Sequence, residues 1–165
     1  MKKNYLDIVD PIHDFIRVYD HELKIIDTPI FQRLRRIRQL SGAHLTYPAA
    51  QHTRFEHSLG VMHIASQAGQ ALNEKGILKL YDIEVLRLAG LLHDIGHGPF
   101  SHLFEEVIQQ KKFSHEDFGK EIILKSEIGD SLSKNSYDKK LITKVAFGDS
   151  KLQYMNEIIS GALSA

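Results

Sequence analysis

Cysteine and tryptophan are absent from the 165 residues, and methionine occurs only three times. Without cysteine, disulfides, thiolate nucleophiles, iron–sulfur clusters and cysteine-type zinc sites are all excluded. An excess of either charge is lacking too, since 21 Lys plus Arg face 21 Asp plus Glu. A chain so balanced is not a general polyanion binder, and no general nucleic-acid binding is expected. Long hydrophobic runs are missing: the longest, glycine included, is Leu88 to Leu92, far short of a membrane span. The opening MKKNYLDIVD has no apolar stretch of signal-peptide length. These absences point to a cytoplasmic protein without membrane association. Disorder is disfavoured as well, because 42% of residues are hydrophobic and no low-complexity tract occurs. The length suits a single domain over 1–165. What the chain has in plenty is histidine, with ten residues, eight of them between His44 and His115.

LDIVD and DFIRVY alternate apolar and polar positions around a turn at Pro11 to Asp14, which predicts a β-hairpin over 6–19. The rest, 21–165, reads as helical. HELKIID is a short helix, and Thr28-Pro29 then opens another, IFQRLRRIRQ, that runs to Ser41-Gly42. Residues 43–53 read as a loop. From Arg54 to about Asn73 the period is helical, with His57, Val61, Ile64, Ala68 and Ala71 on one face, and Gly76 ends it. Asp82 is expected to cap IEVLRLAGLLHDIG, a helix apolar nearly all round and stopped at Gly96. Ser101 caps SHLFEEVIQQ. Ser114 with Asp117 forms a capping box that opens HEDFGKEIILKSEI. GDSLSKNSYD, 129–138, reads as a polar loop, and two helices follow near 138–147 and 151–163. The fold class is mainly α with a small N-terminal β-hairpin.

Three features carry candidate chemistry. His57 lies on the helical stripe just described. His93-Asp94 ends the buried helix, where the dipole disfavours a carboxylate by about 0.3–1 kcal/mol. Asp94 therefore needs a cation, either a basic side chain such as Arg87 or a bound metal. His97 and His102 bracket Gly98-Pro99, and Glu105 lies one turn from His102, placed to orient its imidazole. Neutral imidazoles with a carboxylate suit a borderline divalent cation, and such a metal can lower the pKa of bound water. The basic run Arg33, Arg35, Arg36 and Arg38 reads first as a solvated helix face, with a subunit or nucleotide-phosphate contact as the alternative. His13, His21, His44, His52 and His63 receive no role.

The segments DPIHDFIRV, IIDTPIFQRLRRIRQL, TRFEHSLGVMHIA, LLHDIGHGPFSH and FSHE occur in an order that resembles the HD-domain metal-dependent phosphohydrolases. The branch of deoxynucleoside triphosphate triphosphohydrolases is the most similar. The resemblance implies an HD-domain helical bundle holding one divalent metal ion (Fe, Mn, Ni, Zn or Mg) on His57, His93 and Asp94. It implies His102 as catalytic histidine with Glu105 holding it, and His97 touching phosphate. It places Arg54 on phosphate, Gln39 near the sugar and His115 in the active site. The implied reaction is attack of water at the α-phosphorus of a deoxynucleoside triphosphate, releasing triphosphate, by a homo-oligomer. The family completes its metal site with an aspartate from a D-[KR]-x-D-Y segment after a helix reading IISG. Here IISG is 158–161 and the sequence stops at Ala165. The expectation is thus an N-terminal portion of a larger enzyme, slow or inert as it stands for want of the fourth ligand. The alternatives are hydrolysis of another phosphate ester and a non-catalytic nucleotide-binding module.

Overall fold

The structure is a computed structural model that describes residues 4–100 and 113–161. Among the described residues it is a two-stranded antiparallel hairpin followed by eight α-helices. β1 (Tyr5–Asp10) pairs with β2 (Asp14–Tyr19) in the register Leu6↔Val18, Ile8↔Ile16, Val9↔Phe15. The Asp10 carboxylate accepts from Ile12 N and His13 N, both at 2.9 Å, which closes the turn. Ile16 and Val18 seat the hairpin on the core, and Asp7, Arg17, Val9 and Phe15 face out.

α1 (Asp20–Ile26) and α2 (Pro29–Gln32) follow, and Thr28 Oγ1 accepts from Phe31 N at 3.2 Å as the Thr-Pro signal predicts. The expected long helix then fails. Arg33–Arg36 is a 3₁₀ turn, and Ile37 is extended and buried. The chain pairs instead with the approach to the next helix: Arg38 bridges Thr53, Arg54 N donates to Ile37 O at 2.8 Å, and Gln39 N donates to His52 O at 3.2 Å. Backbone partners supplied from residues 52–54 outweigh the helical period of the arginine run. The predicted loop contains one further 3₁₀ turn, Ala43–Leu45.

α3 (Arg54–Glu74) starts on a capping box of Thr53 and Glu56. Its core face is not the predicted stripe. Phe55, Ser58, Leu59, Met62, Ala65, Ser66 and Gly69 are buried with Val61, whereas His57, Ile64 and Ala68 are half-buried and Ala71 is exposed. Val61 belongs to both faces, so a period alone could not choose between them. α4 (Leu80–Leu92) crosses α3 closely, because a Cβ on Gly90 would lie 3.2 Å from the backbone of Val61 and Met62. Asp82 is not the N-cap but the third helical residue, where its carboxylate accepts from Lys79 N at 2.8 Å.

α4 also ends earlier than expected, at Leu92 rather than Gly96. Residues 93–96 are tight turns, with Ile95 N donating to Leu92 O and His97 N to Asp94 O, both at 3.1 Å. The Arg33 guanidinium donates to the carbonyls of Ile95 and His97, the latter at 2.6 Å. A side chain thereby takes up carbonyls that helix continuation would otherwise have to satisfy. Arg33 is consequently not part of a solvated face.

The capping box of Ser114 and Asp117 opens α5 (His115–Lys125). Ser126 is extended and breaks the expected helix. Its hydroxyl donates to Ile122 O at 2.6 Å and accepts from Ile128 N at 3.2 Å, so it ends α5 and caps α6 (Glu127–Lys134) at once. Six of the ten residues of the expected polar loop, 129–134, are thus helical, and in this helix Ile128 and Leu132 are buried one turn apart. α7 (Lys139–Ala146) and α8 (Gln153–Ser160) complete the bundle close to their predicted places. Ser101, the expected cap of SHLFEEVIQQ, and that helix fall outside the described residues up to residue 112.

The turn after α4 rests directly on α5. A Cβ on Gly96 would run into the His115 carbonyl and sit 2.5 Å from Gly119 N. The Gly96→Ala protein should therefore be destabilised by about 1–3 kcal/mol, as in overpacked cores generally. Urea unfolding followed by circular dichroism measures this, and a wild-type midpoint would contradict the close approach.

Candidate metal centre

Two helices deliver the donors. His57 stands on the first turn of α3, and His93 and Asp94 follow the last residue of α4. One ligand atom from each of His57, His93 and Asp94 falls within 4.8 Å of the others. His57 Nε2 and His93 Nε2 are 3.2 Å apart. The Asp94 carboxylate is 3.7 Å from the first and 3.4 Å from the second.

The protonation pattern suits a cation. His93 Nδ1 lies 2.7 Å from Gly90 O. A carbonyl only accepts, so Nδ1 carries a proton, and Nε2 is the ring nitrogen that faces the cluster. Burial, followed by the neighbouring His93, pushes the His57 imidazole down to about 4, against the pull of Asp94. His57 is neutral at pH 7 and also has a lone pair to give. Burial would push the Asp94 carboxyl up. The hydrogen bond from His97 and the charges of His93 and Arg54 overcome it and hold Asp94 well below the usual carboxylate range.

The cation that Asp94 requires is Arg54, not Arg87. Arg54 is buried at the start of α3 and its Nη1 donates to Asp94 Oδ2 at 2.5 Å. Arg87 instead forms a buried fork on Glu22, at 2.6 and 2.8 Å, and donates to Arg17 O at 2.7 Å. Sequence reasoning missed both pairings. Their partners lie 40 and 65 residues apart, and no local spacing encodes that.

The remaining candidates divide. His97 is brought in, with its Nε2 3.4 Å from Asp94 Oδ1. Burial lowers the His97 pKa, opposed by Asp94. The His97 ring stacks on His115 at a centroid distance of 4.0 Å and an interplanar angle of 14°. Gln39 lies on the 37–39 pairing segment, where its Oε1 is buried without a hydrogen-bond partner. His102 and Glu105 lie outside the described residues. The His57 side chain, 30% exposed, also walls a groove of about 280 Å³ shared with Asp10, His13, His52 and Ile64, so solvent reaches the cluster from this side.

Donor atoms and charge fit a divalent ion of the borderline class, with two imidazoles and one ionised carboxylate. Among the described residues no helix is long and apolar enough to cross a membrane.

The profile of the HD domain matches residues 54–154, which include His57, His93, Asp94, His97 and His115. Over 115 residues the chain is 47% identical to the deoxynucleoside triphosphate triphosphohydrolase SAMHD1 of Xenopus laevis, and over 101 residues 52% identical to that of Homo sapiens. These alignments cover 65% and 59% of this chain but only 18% and 16% of the relatives. An uncharacterised protein of Methanocaldococcus jannaschii is 44% identical over 142 residues, 82% of this chain and 30% of its own. Among solved structures, a phosphohydrolase from Bacteroides thetaiotaomicron superposes with a TM-score of 0.83 at 33% identity, covering 98% of this chain and 39% of that one. A hypothetical protein from Aquifex aeolicus gives 0.84 at 40% identity, covering 98% and 43%.

Proposed function

Since the chain belongs to the HD-domain family, we propose that it serves a metal-dependent phosphohydrolase whose substrates are deoxynucleoside triphosphates. The observation that carries this reading is the convergence of His57, His93 and Asp94 with the His57 imidazole neutral and the carboxylate ionised. These three would hold one divalent cation. When bound, such an ion supplies Lewis acidity and makes its water a better nucleophile at neutral pH.

The chain's own residues set the rest. Arg54 keeps Asp94 anionic and in place. The stacked pair of His97 and His115 forms a wall beside the carboxylate, and His97 is assigned to touch a phosphate there. His102, with Glu105 orienting it, is assigned the proton transfer that accompanies attack of water at the α-phosphorus and departure of triphosphate. Gln39 is assigned to the sugar, where its buried, unpartnered Oε1 would accept from a hydroxyl. Arg54, committed to Asp94, reaches phosphate only through the nitrogens that pair leaves over. A homo-oligomer is part of the same reading. The triphosphate specificity follows the SAMHD1 relatives, whereas the broader name of the Bacteroides phosphohydrolase favours, as second reading, another phosphate ester.

Incubating the protein with the four deoxynucleoside triphosphates and Mn²⁺, with products resolved by anion exchange, tests the reading. Free triphosphate plus nucleoside is expected. Orthophosphate or a cleaved diester would replace the substrate assignment with the second reading. Nucleotide binding without turnover would leave a binding module. In the His93→Ala protein both metal content and turnover should fall at least about 100-fold, beyond the 10–100-fold that partners behind the ligands typically cost. Equal metal content in both proteins would sink the metal role.

A further inference from the structure

The arginine run that the sequence marks as basic is only partly spent. Arg33 holds the carbonyls of Ile95 and His97, Arg35 lies over the Phe55 ring at 3.5 Å, and Arg38 donates to Gln51 O. Arg36 is exposed, and no hydrogen bond, ion pair or ring contact ties it to another described residue. It borders a cavity of about 90 Å³ between the 36–44 segment and the turn at Pro99 and Phe100. Arg38, Ser41 and His44 line the same cavity, and among the described residues no carboxylate does. That is a concentrated positive lining in a chain whose net charge is zero.

Two of the lining side chains have unmet hydrogen bonds. Ser41 Oγ and His44 Nδ1 are both buried and without a partner. Buried polar atoms left so are costly and rare, and a cluster of them beside a cavity marks a missing ligand or water. The hydroxyl can donate, and the imidazole can donate from Nδ1 in one tautomer. With the two guanidinium groups, four donor-bearing side chains border one small volume.

We propose that this cavity is an anion site for a single phosphoryl group, separate in its residues from the His57, His93 and Asp94 cluster. Its volume, far below the ~300–1,000 Å³ of pockets that engulf a drug-sized molecule, excludes a whole nucleotide. Two guanidinium groups at one small volume suit the several oxygens of a phosphoryl group, which Arg recognises through paired donors. The group is either free phosphate or the terminal phosphate of a nucleotide whose remainder stays outside. In the second case the remainder would meet Phe100, which is 66% exposed at the cavity mouth and held at φ 58°, a conformation uncommon for an aromatic residue.

Calorimetric titration in EDTA, with inorganic phosphate and separately with dATP, tests this for wild type, Arg36→Gln, His44→Ala and His57→Asn. Binding should weaken at least tenfold in Arg36→Gln and in His44→Ala, with unchanged melting temperatures in phosphate-free buffer. It should persist in His57→Asn, whatever that protein's metal content. Phosphate binding that competes with dATP identifies a general phosphoryl site; binding of dATP alone, weakened by the same two substitutions, identifies the nucleotide as the source. Wild-type affinity for both ligands in Arg36→Gln and His44→Ala overturns the proposal and leaves the cavity to water. Loss in His57→Asn but not in Arg36→Gln overturns it too, by moving the anion to the metal centre.

Discussion

Replacing Asp94 by alanine is expected to abolish metal binding and to cost about 3–5 kcal/mol of stability, the usual result of breaking a buried ion pair from one side. Both effects come from the same two oxygens. Among the described residues Asp94 is the only carboxylate of the cluster, and it is also the counter-ion of a guanidinium that is itself buried. Without it the buried Arg54 guanidinium loses the carboxylate that faces it at 2.5 Å. The double variant Asp94→Ala/Arg54→Met separates the two roles. It should recover most of the lost stability in urea unfolding while binding no more metal than the single variant. Full stability in Asp94→Ala would mean that Arg54 finds water or another acceptor, and would end its assignment as the fixed partner.

The second large effect is expected far from the metal. Arg87→Met should lose a similar ~3–5 kcal/mol, because Glu22 is fully buried and faces the guanidinium through two hydrogen bonds. In a chain of this size each kcal/mol lowers the melting temperature by roughly 2–4 °C. The pair Glu22→Gln/Arg87→Met should be much less harmful than Arg87→Met alone. The side-chain amide introduced by Glu22→Gln would keep an acceptor for Tyr19 N while the unpaired charge disappears. If the double variant is as unstable as the single one, the loss lies in packing and in the bond to Arg17 O, not in the stranded carboxylate.

Much of this molecule is legible in its sequence where the governing interaction is local. The hairpin follows from alternation, α2 from Thr28-Pro29, and α5 from Ser114 with Asp117, because each signal involves atoms within a few residues. The candidate ligand set is nameable from the family resemblance that RFEHS and HDIGH carry. What the sequence does not carry is which distant group answers a local demand. It shows that Asp94 needs a cation but not that Arg54 supplies it while Arg87 is taken by Glu22. It shows a helical period across 33–38 but not the backbone partners at 52–54 that draw Ile37 and Arg38 out of it. Ser126 looks like any polar residue inside an amphipathic run, and only its extended backbone reveals the break. The half-buried side of α3 passes for its core side because Val61 is common to both.

Position 90 meets two unrelated demands, and they differ in how they can be lost. Its carbonyl fixes the proton on His93 Nδ1, and its missing Cβ lets α4 lie against Val61 and Met62. Every amino acid brings a carbonyl, so the proton placement on this candidate ligand is immune to mutation at its own source. The missing Cβ belongs to glycine alone. A survey of substitutions at this position would therefore register packing and remain silent about ligation, although the same residue governs both. Mutational tolerance maps the side chains of a metal centre; the part of its chemistry held by the main chain does not appear on such a map.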